Sequence, residues 1–187
     1  MRTFLSYDIE EATVLSNVRK LQRELQGTGA DLKLVEPDIL HFTIRFLGEI
    51  NEQQKEEIVQ SLEGKVPPLE LAVHFRGLGT FPNEKRISVV WIACDETSSR
   101  ELGEQARLVN KLLDQVQTLP KEDANKNFQS HVTIARVKSG RNKAELQSFI
   151  AEHKDEDFGS ARLGRLKLKL SELFPEGPRY TDVHEFS

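Results

Sequence analysis

The chain has 187 residues, 37% of them hydrophobic and 30% charged, with 11 Gly and 7 Pro, the make-up of a folded globular chain rather than a disordered or fibrous one. Its net charge of −4 excludes non-specific coating of nucleic acid, which needs many Lys and Arg against phosphates, but leaves room for a local phosphate site. The single cysteine, Cys94, excludes an internal disulfide and a thiolate zinc cage and points to a cytoplasmic protein; apolar runs such as Val89 to Cys94 are too short to span a bilayer, and the first residues lack a signal pattern.

In chain order, Thr3 to Ile9 reads as a strand, and Glu10 to Gln26 as a helix whose stripe Val14, Val18, Leu21 and Leu25 closes at Gly27. Leu32 to Val35 is a short strand stopped by Pro37, and Leu40 to Leu47 is a longer β-rich run. Asn51 caps a helix over Glu52 to Glu63, and Leu69 to Arg76 forms a strand. Arg86 to Cys94 is apolar on both faces and reads as a central strand. Ser98 with Glu101 makes a capping box for a helix through Leu102, Ala106, Val109, Leu113 and Val116. A short strand near Phe128, a longer one from His131 to Val137, and a helix started by Asn142 follow. Strands over Ala161 to Leu170 and Arg179 to Phe186 close the chain.

The second half repeats the first. His41-Phe42-Thr43-Ile44 recurs as His131-Val132-Thr133-Ile134 after 90 residues, Phe81-Pro82 as Phe174-Pro175 after 93, and the opening strand at Phe4 near Val89 after about 85. Matched offsets in matched elements imply a duplicated unit. The expectation is one bilobed α+β domain over residues 1–187, with repeats at about 3–85 and 86–178. Each lobe would be an antiparallel sheet with helices on its outer face, and a pseudo-twofold axis would relate them across a central cleft.

In a strand, residues i and i+2 share a face, so His41, Thr43 and Arg45 oppose the apolar Phe42, Ile44 and Phe46. An imidazole, a hydroxyl and a guanidinium in line suit an anion, and His131 and Thr133 repeat the first two. Two histidines across a cleft can hydrolyse a phosphodiester without a metal, one as base toward water and one as acid toward the leaving oxygen. Threonine hydroxyls and an arginine can hold the non-bridging oxygens. A structural histidine bonded to a backbone carbonyl, or a metal site, remains open for each motif taken alone. His74, His153 and His184 lack the His-x-Thr context and read as surface or packing residues. Arg165, Lys167 and Lys169 would form one basic strand face, solvated or facing RNA. Phe42 and Trp91 read as core, Phe81 and Phe174 as weaker base-stacking candidates, and Cys94 as inert.

These residues resemble the two-histidine (2H) phosphoesterases, and within them the RNA 2′,3′-cyclic phosphodiesterases of archaea and bacteria, also called 2′-5′ RNA ligases. The likeness spans nearly the whole chain: Arg2-Thr3-Phe4, His41 through Ile50, Phe81-Pro82-Asn83, His131 through Lys138, Asp157-Phe158-Gly159, and Phe174 through Tyr180. The resemblance implies His41 as proton donor, His131 as proton acceptor, and Thr43 and Thr133 as phosphate ligands, with Arg136 as a phosphate neighbour; Arg45 is expected as another from its place on the His41 face. The resemblance also implies a 2′-phosphate product with no metal required; RNA ends or small cyclic nucleotides are the expected substrates, and no cofactor, no membrane partner and a monomer are expected. The family's second motif commonly continues Leu-Gly-Arg, whereas this chain has Ile134-Ala135-Arg136; the added methyl is expected on the His131 face, where it would narrow the cleft or bar a bulge that turns Arg136 inward. The competing readings are 2′-5′ joining of RNA halves and a non-catalytic RNA-end or nucleotide-binding module.

Overall fold

The computed structural model describes residues 2–120, 128–175 and 177–187. Its elements are β1 (Arg2–Asp8), α1 (Ala12–Gly27), β2 (Leu32–Leu34), a single 3₁₀ turn (Pro37–Ile39), β3 (His41–Glu49), α2 (Glu52–Leu62), β4 (Ala72–Asn83), β5 (Arg86–Cys94), α3 (Glu96–Leu113), β6 (Val132–Val137), α4 (Lys143–Glu152), β7 (Asp157–Arg162), β8 (Lys167–Phe174) and β9 (Gly177–Glu185). Two antiparallel sheets result, with strand orders β3-β1-β8-β9 and β2-β6-β5-β4-β7, so the fold is α+β as expected. β5 lies at the centre of its sheet, as its apolar sequence requires.

The helices form where the apolar spacing places them. Val14, Val18, Leu21 and Leu25 are all buried on α1, and Leu102, Ala106, Val109 and Leu113 on α3. Asn51 closes a complete capping box with Gln54 at the start of α2. The Ser98–Glu101 box is not made: α3 begins earlier, because the Asp95 carboxylate accepts from Ser98 N at 2.8 Å, and Ser98 Oγ accepts from His74 N instead. Asn142 precedes α4 in a left-handed conformation without capping it, its amide spent on Thr28 O at 3.0 Å. The run expected from Ala161 to Leu170 is two strands, β7 and β8, and residues 128–131 are not strand; the residues before them lie outside the described set.

Neither half of the sequence completes a layer alone. β4 comes from the first half but pairs with β5 in the second sheet, while β8 and β9 finish the first sheet. Helices cross likewise, α1 lying on β6 and β7, and α3 on β3. Phe42, fully buried and stacked on Phe75 at 5.5 Å, contributes about 1.5–3 kcal/mol of burial. It thereby decides which side of β3 faces the helices, and His41 and Thr43 must take the other side.

Candidate active site

Strands β3 and β6 bring both motifs to one cavity of about 640 Å³, which His41, Thr43, His131, Thr133 and Arg136 all line. That volume accommodates a nucleotide-sized ligand. Both imidazoles are oriented in the same way. His41 Nδ1 lies 2.8 Å from Ile39 O and His131 Nδ1 2.7 Å from Gln129 O, in each case the carbonyl two residues earlier. A carbonyl only accepts, so Nδ1 carries the proton and Nε2 is left for the cleft. Burial pushes both imidazoles below the usual histidine range, which favours the neutral form. At His41 the Ile39 carbonyl and the Asp8 charge oppose this, while Lys169 and His131 add to it.

The aromatic surroundings were not evident from the sequence. Phe4 and Tyr180 flank His41, with ring centroids at 4.9 and 5.3 Å, and Phe81 and Trp91 flank His131 at 4.9 and 6.0 Å. Trp91 is therefore partly exposed rather than core, packed behind His131, and Phe81 meets His131 edge-on. Phe174 lines the cavity with one face covered by Arg179 at 4.3 Å. Phe4 and Tyr180 belong to segments that carry the family resemblance, which is the signal that could have found them.

The two arginines part company. Register breaks against β1 leave Ile44 unpaired between Thr43 and Arg45, a β-bulge that turns two successive side chains inward. Arg45 is consequently 4% exposed, donates to Asn110 Oδ1 at 3.2 Å and to Pro120 O at 2.8 Å, and ties β3 to α3 outside the cleft. The expectation that it shares the phosphate face with His41 and Thr43 fails, because strict alternation stops at the bulge; Phe46 emerges into the cavity in its place, 67% exposed. The same break occurs in β6, where Ile134 is unpaired between Thr133 and Ala135. There the bulge delivers Arg136 to the cavity. The Ala135 methyl does not prevent this, since Ala135 is fully buried on the helix side. The Ile134 carbonyl freed by the bulge accepts from Val35 N at 2.9 Å and Gln22 Nε2 at 3.0 Å, so the kink is held from α1 and the segment after β2.

Lys33 pairs with Arg136 across β2 and β6, and with Lys138 and Arg2 it adds positive charge to the cavity walls, against one carboxylate, Glu36. The basic face expected on Arg165, Lys167 and Lys169 is not available to RNA through its lysines: Lys167 and Lys169 bond to Asp8 and Asp182. His74, His153 and His184 pair with Asp157, Glu156 and Glu63 away from the cavity. Burial pushes the Cys94 thiol up, and it bonds to Ser130 Oγ. Among the described residues no three His, Cys, Asp or Glu side chains converge on a metal position, and no helix is long and apolar enough to cross a membrane.

The family model of the AKAP7 2′5′ RNA ligase-like domain matches residues 3–183. An RNA 2′,3′-cyclic phosphodiesterase of Methanothermobacter thermautotrophicus is 33% identical, covering 100% of this chain and 98% of the relative. One from Methanocaldococcus jannaschii is 34% identical, covering 100% of both. Among solved structures, E. coli LigT complexed with 3′-AMP superposes with a TM-score of 0.76 at 18% identity, covering 99% of this chain and 96% of that one, which bears on the fold alone.

Proposed function

The chain belongs to the AKAP7 2′5′ RNA ligase-like family of 2H phosphoesterases, and from that premise we propose that it hydrolyses RNA 2′,3′-cyclic phosphate ends to 2′-phosphomonoesters. One observation carries the reading: two imidazoles, each with Nδ1–H tied to its own backbone, leave both Nε2 atoms to one cleft. Neutral His131 takes a proton from water as the water oxygen bonds to phosphorus. The P–O3′ bond breaks, and protonated His41 delivers its proton to O3′, leaving a free 3′-hydroxyl and the phosphate on O2′. Thr43 and Thr133 donate to the non-bridging oxygens, and Arg136 offsets the charge that gathers there. The assignment of donor and acceptor follows the family resemblance.

RNA rather than a free nucleotide is the proposed substrate class. The relatives carry that name, and the cations Lys33, Lys138 and Arg2 on the cavity walls supply charge that flanking phosphates of a chain would need.

The test is turnover of a cyclic-phosphate oligonucleotide in EDTA, with the product identified as a 2′-monoester. His41→Ala and His131→Ala should each lose about 100- to 10,000-fold in kcat while the Tm stays within a few degrees. Wild-type turnover in either variant, or saturable binding without product, overturns the proposal.

A further inference from the structure

Beside His41 lies a charge cluster that this reaction does not use. Asp8 stands opposite His41 in the β1–β3 pairing. Lys169 stands opposite Phe4, whose ring touches the His41 imidazole, and Asp182 stands opposite Lys169 on β9. Lys169 Nζ lies 2.8 Å from Asp8 Oδ2 and 2.7 Å from Asp182 Oδ1. Lys167 Nζ lies 3.0 Å from the same Asp8 oxygen and 3.2 Å from Asp182 Oδ2, with Glu10 and Glu185 at 3.7 and 4.0 Å. Lys169 is buried.

Desolvating these ions is costly, and apolar residues would hold the strands equally well, so the cluster calls for a role beyond cohesion. The group it acts upon is His41. Burial disfavours the imidazolium there, Asp8 favours it, and Lys169 opposes it. The other groups facing His41 are the Ile39 carbonyl, the His131 imidazole, and Tyr180, whose phenol burial keeps protonated. At His131 the causes among the described residues are burial, which disfavours the imidazolium, and the Gln129 carbonyl, which favours it. The two histidines thus sit in different fields although their motifs match.

We propose that Asp8, Lys169 and Asp182 form a positioning unit for His41, whose balance of charge decides the pH range over which His41 holds its proton. Asp8 supports the protonated ring, Lys169 limits that support, and Asp182 keeps Lys169 in register and offsets part of its charge. The proposal rests on the reading of His41 as proton donor.

Ring-proton NMR titration tests it, with His41 identified by the signal missing in His41→Asn. Asp8→Asn removes an anion and should lower the His41 midpoint; Lys169→Met removes a cation and should raise it, each by roughly half a pH unit to one unit, with His131 moving less. The limb of the pH–rate profile that belongs to His41 should move in the same sense, and Lys169→Arg, which keeps the charge, should leave both in place. Should Asp8→Asn fail to fold, Asp182→Asn at the half-exposed end of the cluster also removes an anion and should shift His41 downward by less. A purely structural cluster predicts shifts in one direction for both charge removals, or none; either result overturns the proposal. Failure of the hydrolysis reading is separately visible as absence of wild-type turnover, with the titrations still readable.

Discussion

The His41 wall and the His131 wall of the cleft share a tetrapeptide, a backbone-tied imidazole and a bulge at the same place, yet they present different chemistry. In β3 the bulge turns Arg45 into the helix layer and sets Phe46 in the cavity; in β6 it buries Ala135 and sets Arg136 in the cavity. The backbone event is common to both repeats, and the residue types at the two positions after it decide what each wall offers. Two strands with the same motif can therefore bring one cation to the cavity instead of two, with an apolar side chain on the other wall. The surroundings diverge as well: His41 lies beside the Asp8–Lys169 pair, whereas His131 is framed by Phe81 and Trp91.

Exchanging roles at the bulges probes this difference most strongly. Arg136→Ala should lower kcat/KM for a cyclic-phosphate oligonucleotide about 100-fold, in the range of losing one charge-stabilising donor, with the urea midpoint unchanged. Arg45→Ala should do the reverse, costing about 1–3 kcal/mol of stability through the partners left behind at Asn110 and Pro120 while turnover per folded molecule is kept. Equal activity losses in the two variants would mean that the walls are functionally alike.

A more local effect is expected at Gly79, where an added Cβ would overlap the Trp91 indole. Gly79→Ala should cost about 1–3 kcal/mol by overpacking and displace the ring that backs His131. Its NMR signature should be a perturbed His131 resonance with His41 little changed, and equal perturbation of both would show the walls to be mechanically coupled.

The smallest effect concerns the basic rim, which belongs to the β2–β6 wall. Lys33→Gln combined with Lys138→Gln should leave a cyclic mononucleotide turned over as before, weaken binding of an oligonucleotide several-fold, and reduce the salt slope by about 0.7 for each phosphate that is no longer neutralised. An unchanged salt slope would place the RNA chain along the opposite wall.

Much of this was legible in the chain. Strand period, helical stripes and the matched offsets placed both His-x-Thr motifs on strands, and Phe42 and Val132, buried as their sequence position requires, turned the histidines and threonines toward one cleft. What misled was the assumption that alternation continues through Arg45 and that Ala135 would block a kink. A bulge leaves no mark in hydrophobic period when apolar Ile44 and Ile134 occupy the unpaired positions, and its support comes from distant groups: Gln22 on α1, and Asn110 on α3. The pairing of Lys167 and Lys169 with Asp8 was hidden for the same reason, the partners being more than 150 residues apart in sequence.

By itself the sequence determined most of the elements, the recurrence of the His-x-Thr motif and the four side chains that face the cleft, because these follow from local period and from repetition. The tertiary structure alone decided which arginine reaches the cavity, which strands and helices the halves exchange, and which charges stand beside His41. Those depend on strand register and on contacts between residues far apart in the chain, where the free energy of a bulge or a buried ion is set by neighbours that no local pattern names.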